Sequence, residues 1–137
     1  MTAKNRSQQY AQAAWDCVDK AKENEQLRDK YKSRADNLPV MVMQAGLAQA
    51  LGFLLAKSKG DVTSPYGRYL ADLAIVLQAG GAVGFIDGEA LQRHVIAAPL
   101  SEYRRLTRET LAAAGWLKRF CQAYIKKDKT VAEEAAP

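Results

Sequence analysis

The sequence predicts an all-α protein that folds as a single compact bundle of five or six helices. Apolar residues recur at helical spacing along nearly the whole chain, and no segment shows the alternation of a half-buried strand. The chain has 137 residues, of which 48% are hydrophobic and 26% are charged, which is enough for one modest core. We therefore expect one helical domain over residues 1–127 and a flexible, charged C-terminal tail over residues 128–137.

The N-terminal third is predicted to contain two helical segments and to end at a helix boundary near Pro39. Residues 7–21 carry apolar side chains at helical spacing, and the pattern resumes at Leu27. The polar residues 22–26 between them form either a solvated turn of one long helix or a short break. Because the residue before a proline resists helical geometry, a helix boundary is expected at residues 36–39, just before or at Pro39.

Residues 39–56 contain no charged side chain and are apolar on nearly every side, so they are expected in the core. Gly46 is expected to bend or split this helix, since glycine costs a helix about 1 kcal/mol relative to alanine. The segment is about long enough to span a bilayer. Its internal Pro39, Gln44, Gln49 and Gly52 favour a buried helical hairpin instead.

The middle of the chain shows clear helix starts. Ser64 is placed to cap a helix, and Pro65 has no N–H to lose in its first turn. The glycine-rich residues 79–84 lack the Lys-Ser/Thr pair of a phosphate-binding loop and follow a helical pattern, which favours a helix–helix connection. Asp87 is expected to cap a short helix that ends before Pro99.

The last helix is predicted from Ser101, as its cap, to about Lys127. At about 100° per residue, Tyr103, Leu106 and further apolar or small residues up to Tyr124 form a core face. The opposite side, about 100–160° from Tyr103, carries a set of cations that we call the basic stripe. Its members are Arg104, Arg108, Arg119 and Lys126. Arg105 lies beside it, near 200°, and both carboxylates of this segment lie off it.

Charge is concentrated on this helix. Residues 101–127 carry seven basic and two acidic side chains, so their net charge equals the +5 of the whole chain. An ordinary solvated face would mix signs, because like charges such as Arg104 and Arg108 at i,i+4 repel each other. The stripe is therefore either a solvated face or an anion-binding surface, and the arginine fork suits phosphate.

Two further features near these cations keep alternative interpretations open. Trp116 lies beside the arginines, where it either packs on a neighbouring helix or meets a partner by base stacking or in a protein interface. A second basic cluster surrounds Tyr31, but nearby Asp29 and Asp36 dilute it, so it is equally well an ordinary solvated face. That cluster consists of Arg28, Lys30, Lys32 and Arg34.

The residues needed for catalysis or metal binding do not occur in the required patterns. Cys17 and Cys121 are far apart, and the N-terminal residues are polar, which favours two free, buried thiols in a reducing cytoplasm. His94 is the one histidine and lies in a helical pattern, where an ordinary surface or partly buried histidine is expected. No ligand spacing indicates a metal, and no pair of acids is singled out. We expect no enzyme activity and no cofactor.

Two segments resemble the signatures of a known family. Tyr31-Lys32-Ser33, Leu38-Pro39 and residues 44–53 resemble the first signature of the small subunit of the type III-B CRISPR effector, the Cmr complex. Residues 103–111 followed by residues 116–120 resemble its second signature. Both occur in the family's order and cover roughly residues 8–126. The chain departs from the family in its charged C-terminal tail and around Gly80–Gly88, a region that is longer and richer in glycine than the family leads us to expect.

The resemblance implies a compact all-α protein without a catalytic centre. Such small subunits line up along the backbone filament and help to form the channel for guide RNA paired with target RNA. The implied partners are both RNAs, the backbone and large subunits, and further copies of the chain, in the cytoplasm and without a membrane. The alternative is a helical protein–protein scaffold whose basic faces bind acidic partners. The side chains expected on RNA are Arg104, Arg108 and Arg119, then Arg105, Lys118 and Lys126, and in the second cluster Lys30, Lys32 and Arg34.

Overall fold

Six α-helices form the part of the protein that the computed structural model describes, residues 3–82 and 84–126. No strand occurs within those residues, so the predicted all-α class and the number of helices are confirmed. The predicted tail, residues 128–137, lies outside the described residues. In chain order the helices are α1 (Arg6–Lys22), α2 (Arg28–Ala45), α3 (Leu47–Ser58), α4 (Pro65–Ala79), α5 (Gly88–Ala97) and α6 (Leu100–Tyr124).

One apolar core is shared by all six helices, and α4 lies at its centre. α4 packs against every other helix, and its Tyr69, Leu73 and Leu77 are fully buried. α6 packs along α1 and α2, and the two flanking helices cover its apolar side. Burying a large apolar side chain stabilises the fold by about 1.5–3 kcal/mol. The apolar side chains of α6 therefore determine which side of this helix faces the core. The polar side of α6 consequently faces outward.

Side-chain caps begin several helices where the sequence predicts them. The Ser64 hydroxyl accepts a hydrogen bond from the Gly67 N–H, and the Asp87 carboxylate accepts one from the Ala90 N–H. Both caps satisfy backbone donors that the first helical turn leaves free. The predicted starts of α4 and α5 are therefore confirmed.

The predicted cap at Ser101 is wrong. α6 begins one residue earlier, at Leu100, with Pro99 in the cap position. The Pro99 carbonyl accepts the first helical hydrogen bond from the Tyr103 N–H at 2.8 Å. The backbone alone thus starts the helix, and Ser101 lies inside its first turn.

The helix boundary predicted at Pro39 is also wrong, because α2 continues through the proline to Ala45. A proline inside a helix costs about 3 kcal/mol, since it removes a hydrogen bond and crowds the preceding turn. Leu38 and Val42 are buried on either side of it, and each such burial contributes about 1.5–3 kcal/mol. Packing on both sides of the proline therefore outweighs the local cost. The chain breaks at Gly46 instead, where φ is +90°, so the predicted split is confirmed.

The expectation that residues 39–56 lie wholly in the core is only partly correct. Leu51 and Leu54 of α3 are buried, but Val40 is 51% exposed and Met43 is 78% exposed. Around α2, Val40 lies on the side opposite buried Val42, and Met43 lies on the flank between the two. None of the described helices is both long and apolar enough to cross a membrane.

The glycine-rich segment connects α4 to α5, as predicted. Gly80 ends α4 against the ring of Tyr10, which occupies the space that a side chain at this position would need. Gly81 and Gly84 have φ values of +107° and +91°, a conformation that glycine adopts without a steric cost. The segment therefore turns the chain and lets α1 approach the end of α4.

Candidate nucleic-acid interface

The basic stripe lies on the outer side of α6, opposite its buried residues. Leu106 and Leu117 are buried against the other helices, whereas Arg104, Arg108 and Arg119 are exposed. Lys126 is exposed as well, but α6 ends at Tyr124, earlier than predicted. Lys126 therefore lies beyond the helix, in a groove with Arg28, and its predicted helical angle does not apply. At 1.5 Å per residue, Arg104 and Arg119 are separated by about 22 Å along the axis. The outer side of α6 thus offers an extended row of cations.

Arg105 differs from Arg104 and Arg108 because it forms ion pairs. The Arg105 guanidinium contacts Glu102 at 3.3 Å and Glu109 at 3.4 Å. Within the described residues, neither Arg104 nor Arg108 has a carboxylate at ion-pair distance. Arg104 and Arg108 therefore keep their full charge for an anion, while Arg105 is largely balanced.

The two carboxylates that hold Arg105 also hold residues from other helices. Glu109 accepts a hydrogen bond from Arg6 of α1 at 3.1 Å. Glu102 contacts the His94 Nε2 at 3.0 Å, and the His94 ring packs edge-on against Phe85. His94 is thus a partly buried surface histidine in a polar network, which is the ordinary role expected from the sequence.

Trp116 is packed within the chain. Its indole N–H donates to the Ser7 hydroxyl at 3.3 Å, and its ring lies 5.6 Å from that of Phe120. The Arg119 guanidinium carbon is 5.5 Å from the centre of the Trp116 ring. Trp116 remains half-buried, so Arg119 joins the basic stripe to an aromatic surface between α6 and α1.

The second basic cluster is divided between two sides of α2. Arg28 lines a shallow groove with Lys126, and the charge of Lys32 acts on the Cys121 thiol, so both lie on the side that faces α6. Arg34 lies on the other side, 4.6 Å above the ring of Tyr66. Lys30 is exposed and lies one helical turn from Arg34 on that same side. The structure therefore brings Lys32, but not Lys30 or Arg34, towards the basic stripe.

The remaining candidate, Lys118, is half-buried on α6. It lies about 80° around the helix from Arg108, at the edge of the outer face rather than on it. Lys118 is thus a secondary candidate, as the sequence indicates.

A buried polar cluster anchors α2 to α4. The Tyr31 hydroxyl donates to the Asp72 carboxylate at 2.7 Å, and the Arg68 Nε donates to both Asp72 oxygens at 3.2 and 3.3 Å. Burial raises the pKa of Asp72, and the hydrogen bond from Tyr31 and the charge of Arg68 oppose that rise. This cluster was not predicted from the sequence, although the i,i+4 spacing of Arg68 and Asp72 is a signal for it.

The two cysteines are buried and free, as predicted. Burial raises the pKa of the Cys17 thiol to about 12, and nearby Asp72 adds to the rise. Burial also raises the pKa of Cys121 to about 12. A thiol with so high a pKa is almost wholly protonated at neutral pH and reacts slowly. Among residues 3–82 and 84–126, no group of three or more potential metal ligands comes together.

The fold and this surface define a class of protein: a small helical bundle with one long cationic face. Residues 6–124 match the family described as CRISPR-associated protein (Cas_Cmr5). The chain is 43% identical over 124 residues to the CRISPR system Cmr subunit Cmr5 of Thermus thermophilus, and the match covers 90% of this chain and 99% of that relative. The chain belongs to the Cmr5 family, which confirms the resemblance to the small subunits of the type III-B effector.

A solved structure agrees with this fold. The X-ray crystal structure of a CRISPR-associated Cmr5 family protein from Thermus thermophilus superposes with a TM-score of 0.78. The two chains are 43% identical, and the match covers 90% of this chain and all of that one. The family assignment therefore rests on sequence and on fold together.

Proposed function

We propose that this protein is a non-catalytic structural subunit of a type III-B CRISPR ribonucleoprotein that targets RNA in antiviral defence. Its membership of the Cmr5 family supports this role, and its relative in Thermus thermophilus is itself named a Cmr subunit. Its partners are the backbone and large subunits of the Cmr complex, further copies of itself, and guide and target RNA, in the cytoplasm. One helical domain over residues 1–127 performs this role, with residues 128–137 as a tail.

The subunit lines the channel that holds the guide–target duplex and contacts the RNA backbone. The observation that carries this proposal is the exposure of Arg104 and Arg108 without carboxylate partners among the described residues. Arginine binds two phosphate oxygens through its planar fork. Phosphate contacts position a nucleic acid without reading its sequence, and pairing with the guide supplies specificity.

We rank the candidate side chains by their exposure and by their ion pairs. Arg104 and Arg108 come first, because their charges are exposed and unbalanced. Arg105 falls behind them because two carboxylates already hold it. After Arg104 and Arg108 the order is Arg119, Lys126, Lys32 and Lys118, with Arg105, Lys30 and Arg34 last.

The test is the affinity of the assembled complex for target RNA with the variant Arg104→Glu/Arg108→Glu. The matched control is Lys57→Glu/Lys59→Glu, which changes the net charge equally on two exposed lysines at the end of α3. We expect normal assembly, weaker target binding, and a slope of log K against log salt that is shallower by roughly 0.7–0.9 for each phosphate that the variant no longer neutralises. The control keeps the affinity of the unmodified complex.

Undiminished target affinity in a correctly assembled charge-reversed complex overturns the RNA contact. If the variant instead fails to enter the complex while the control enters it, the basic stripe binds acidic protein neighbours. That outcome favours the second candidate function, a helical protein–protein scaffold.

A further inference from the structure

Four aromatic side chains, two of them exposed and two half-buried, form a ridge along the seam between α1 and α6, which we call the aromatic ridge. Three of them are spaced one helical turn apart on α6, with ring centres 5.6 Å apart for Trp116 and Phe120 and 6.5 Å apart for Phe120 and Tyr124. Trp15 of α1 packs edge-on against Phe120 at 5.3 Å and against Tyr124 at 4.8 Å. Trp15 and Tyr124 each remain 46% exposed.

This ridge differs in chemistry from the other exposed apolar side chains. Among the described residues, nine large hydrophobic side chains are exposed, and only Trp15 and Tyr124 are aromatic. The seven aliphatic ones lie away from the ridge, on α2, α4, α5, the loops and the first residue of α6. Adjoining aromatic side chains that stay partly exposed make the ridge a candidate contact surface.

Cations accompany the rings. Arg119 lies 5.5 Å from the centre of the Trp116 ring, and the Lys22 Nζ lies 5.6 Å from that of Tyr124. Lys22 is balanced by Asp19 at 2.8 Å, whereas Arg119 has no carboxylate at ion-pair distance among the described residues. Because Arg119 belongs to the basic stripe as well, the aromatic ridge and the basic stripe form one continuous surface.

We propose that the aromatic ridge stacks unpaired bases of a single-stranded RNA whose phosphates lie on the basic stripe. This inference rests on the proposed function and extends it from the guide–target duplex to unpaired RNA, because the same stripe would supply the phosphate contacts to both. Every base has a π face, so stacking on Trp and Tyr tolerates any sequence, and neighbouring cations hold the backbone. Duplex bases are already stacked on each other and cannot use the ridge. A protein partner is the competing occupant, because Trp, Tyr and Arg are also enriched in protein interfaces. The net positive charge of the adjoining basic stripe favours a polyanion over it.

The chain provides its own reporter. It has two tryptophans, Trp15 and Trp116, and both lie in the ridge. The full chain is titrated at low salt with an unstructured 12-nucleotide RNA and, separately, with a 12-base-pair RNA duplex. Tryptophan fluorescence reports on stacking, and the anisotropy of labelled RNA reports on binding. We expect the single strand to quench the fluorescence and the duplex to bind without quenching it.

Substitutions give the second readout. Trp15→Ala weakens binding of the single strand about fivefold or more and leaves duplex binding unchanged, whereas Trp15→Phe retains most of the affinity. Tyr124→Ala is the second variant, with the same expected direction, in case Trp15→Ala lowers the melting temperature. Met43→Ala, which removes an exposed aliphatic side chain from α2, is the matched control and changes neither affinity.

The outcomes separate this inference from the proposed function. RNA binding that depends on Arg104 and Arg108, but shows no quenching and no effect of Trp15→Ala, overturns the aromatic ridge alone. Absence of RNA binding, together with an assembled complex insensitive to Arg104→Glu/Arg108→Glu, overturns both. If Trp15→Ala blocks assembly of the complex and leaves RNA binding intact, the ridge is a protein interface and the inference is wrong.

Discussion

Both α2 and α6 are rich in basic residues, yet only α6 presents them as an open surface. On the outer side of α6, Arg104 and Arg108 are exposed and unpaired with any described carboxylate. On α2, Arg34 is occupied by the ring of Tyr66, and Lys32 is half-buried near Cys121. The two helices look alike in the sequence, but the charge that each makes available to a partner differs.

The difference arises from the neighbours of each helix. α2 packs against α1, α3, α4 and α6, so flanking helices approach both of its sides, whereas α6 is covered on one side only. A long cationic side chain next to another helix buries its stem or covers an aromatic ring. A basic cluster is therefore a binding candidate only where no helix packs beside it.

The largest expected effect tests how firmly α2 is held. Asp72→Ala leaves the buried Tyr31 hydroxyl without its acceptor and Arg68 without its ion pair. We expect the free energy of unfolding to fall by about 3 kcal/mol, measured by urea denaturation. Asp16 of α1 is an exposed carboxylate in a surface groove that Asp72 also lines. Asp16→Ala is the control and changes stability by less than about 0.5 kcal/mol. Equal stabilities of the two variants would contradict the anchoring of α2 by Asp72.

The next effect has the opposite sign. Pro39→Ala restores the N–H that α2 lacks, so the Ala35 carbonyl regains a helical donor. We expect a gain of about 2 kcal/mol, because an interior proline costs about 3 kcal/mol and the loss of its rigidity in the unfolded chain returns part of this. Thermal and urea unfolding both measure it. A loss of stability would show that the ring of Pro39 packs better than the helix without it.

The helix caps and Pro39 show what the sequence could and could not predict about the fold. Helical periodicity and caps such as Ser64 and Asp87 depend on a few neighbouring residues, and these predictions are confirmed. The continuation of α2 through Pro39 depends on the burial of Leu38 by distant helices. No local rule contains that packing energy.

Some features of the candidate surface could likewise be predicted from the sequence, and others could not. The basic stripe was predictable, because the apolar periodicity of α6 defines its buried side and leaves the opposite side to solvent. The packing of Arg34 on the ring of Tyr66 could not be predicted, since Tyr66 is 32 positions away in the chain. The aromatic ridge also requires the packing of α1 beside α6, which brings Trp15 to Tyr124.

A smaller effect is expected on α6 itself. Gly115 lies in the middle of the helix, and a Cβ added there would meet no described atom within 4 Å. Gly115→Ala therefore raises the free energy of unfolding by about 1 kcal/mol, the difference in helix propensity between the two residues. Gly80→Ala is the contrasting variant, because the ring of Tyr10 fills the space beside that glycine, and it destabilises the protein. A destabilising Gly115→Ala would mean that the outer face of α6 is more crowded than its structure shows.

The smallest expected effect decides whether the basic stripe serves the fold at all. Arg104 and Arg108 are like charges one turn apart, and such a pair destabilises a helix by a few tenths of a kcal/mol. Arg104→Ala/Arg108→Ala should therefore leave the free energy of unfolding unchanged or raise it by a few tenths of a kcal/mol, most visibly at low salt, where screening is weakest. Arg105→Ala is the matched variant, since it removes an arginine that pairs with Glu102 and Glu109, and it should lower stability slightly. If the double variant were clearly less stable than Arg105→Ala, the stripe would be part of the scaffold and not a surface kept free for an anionic partner.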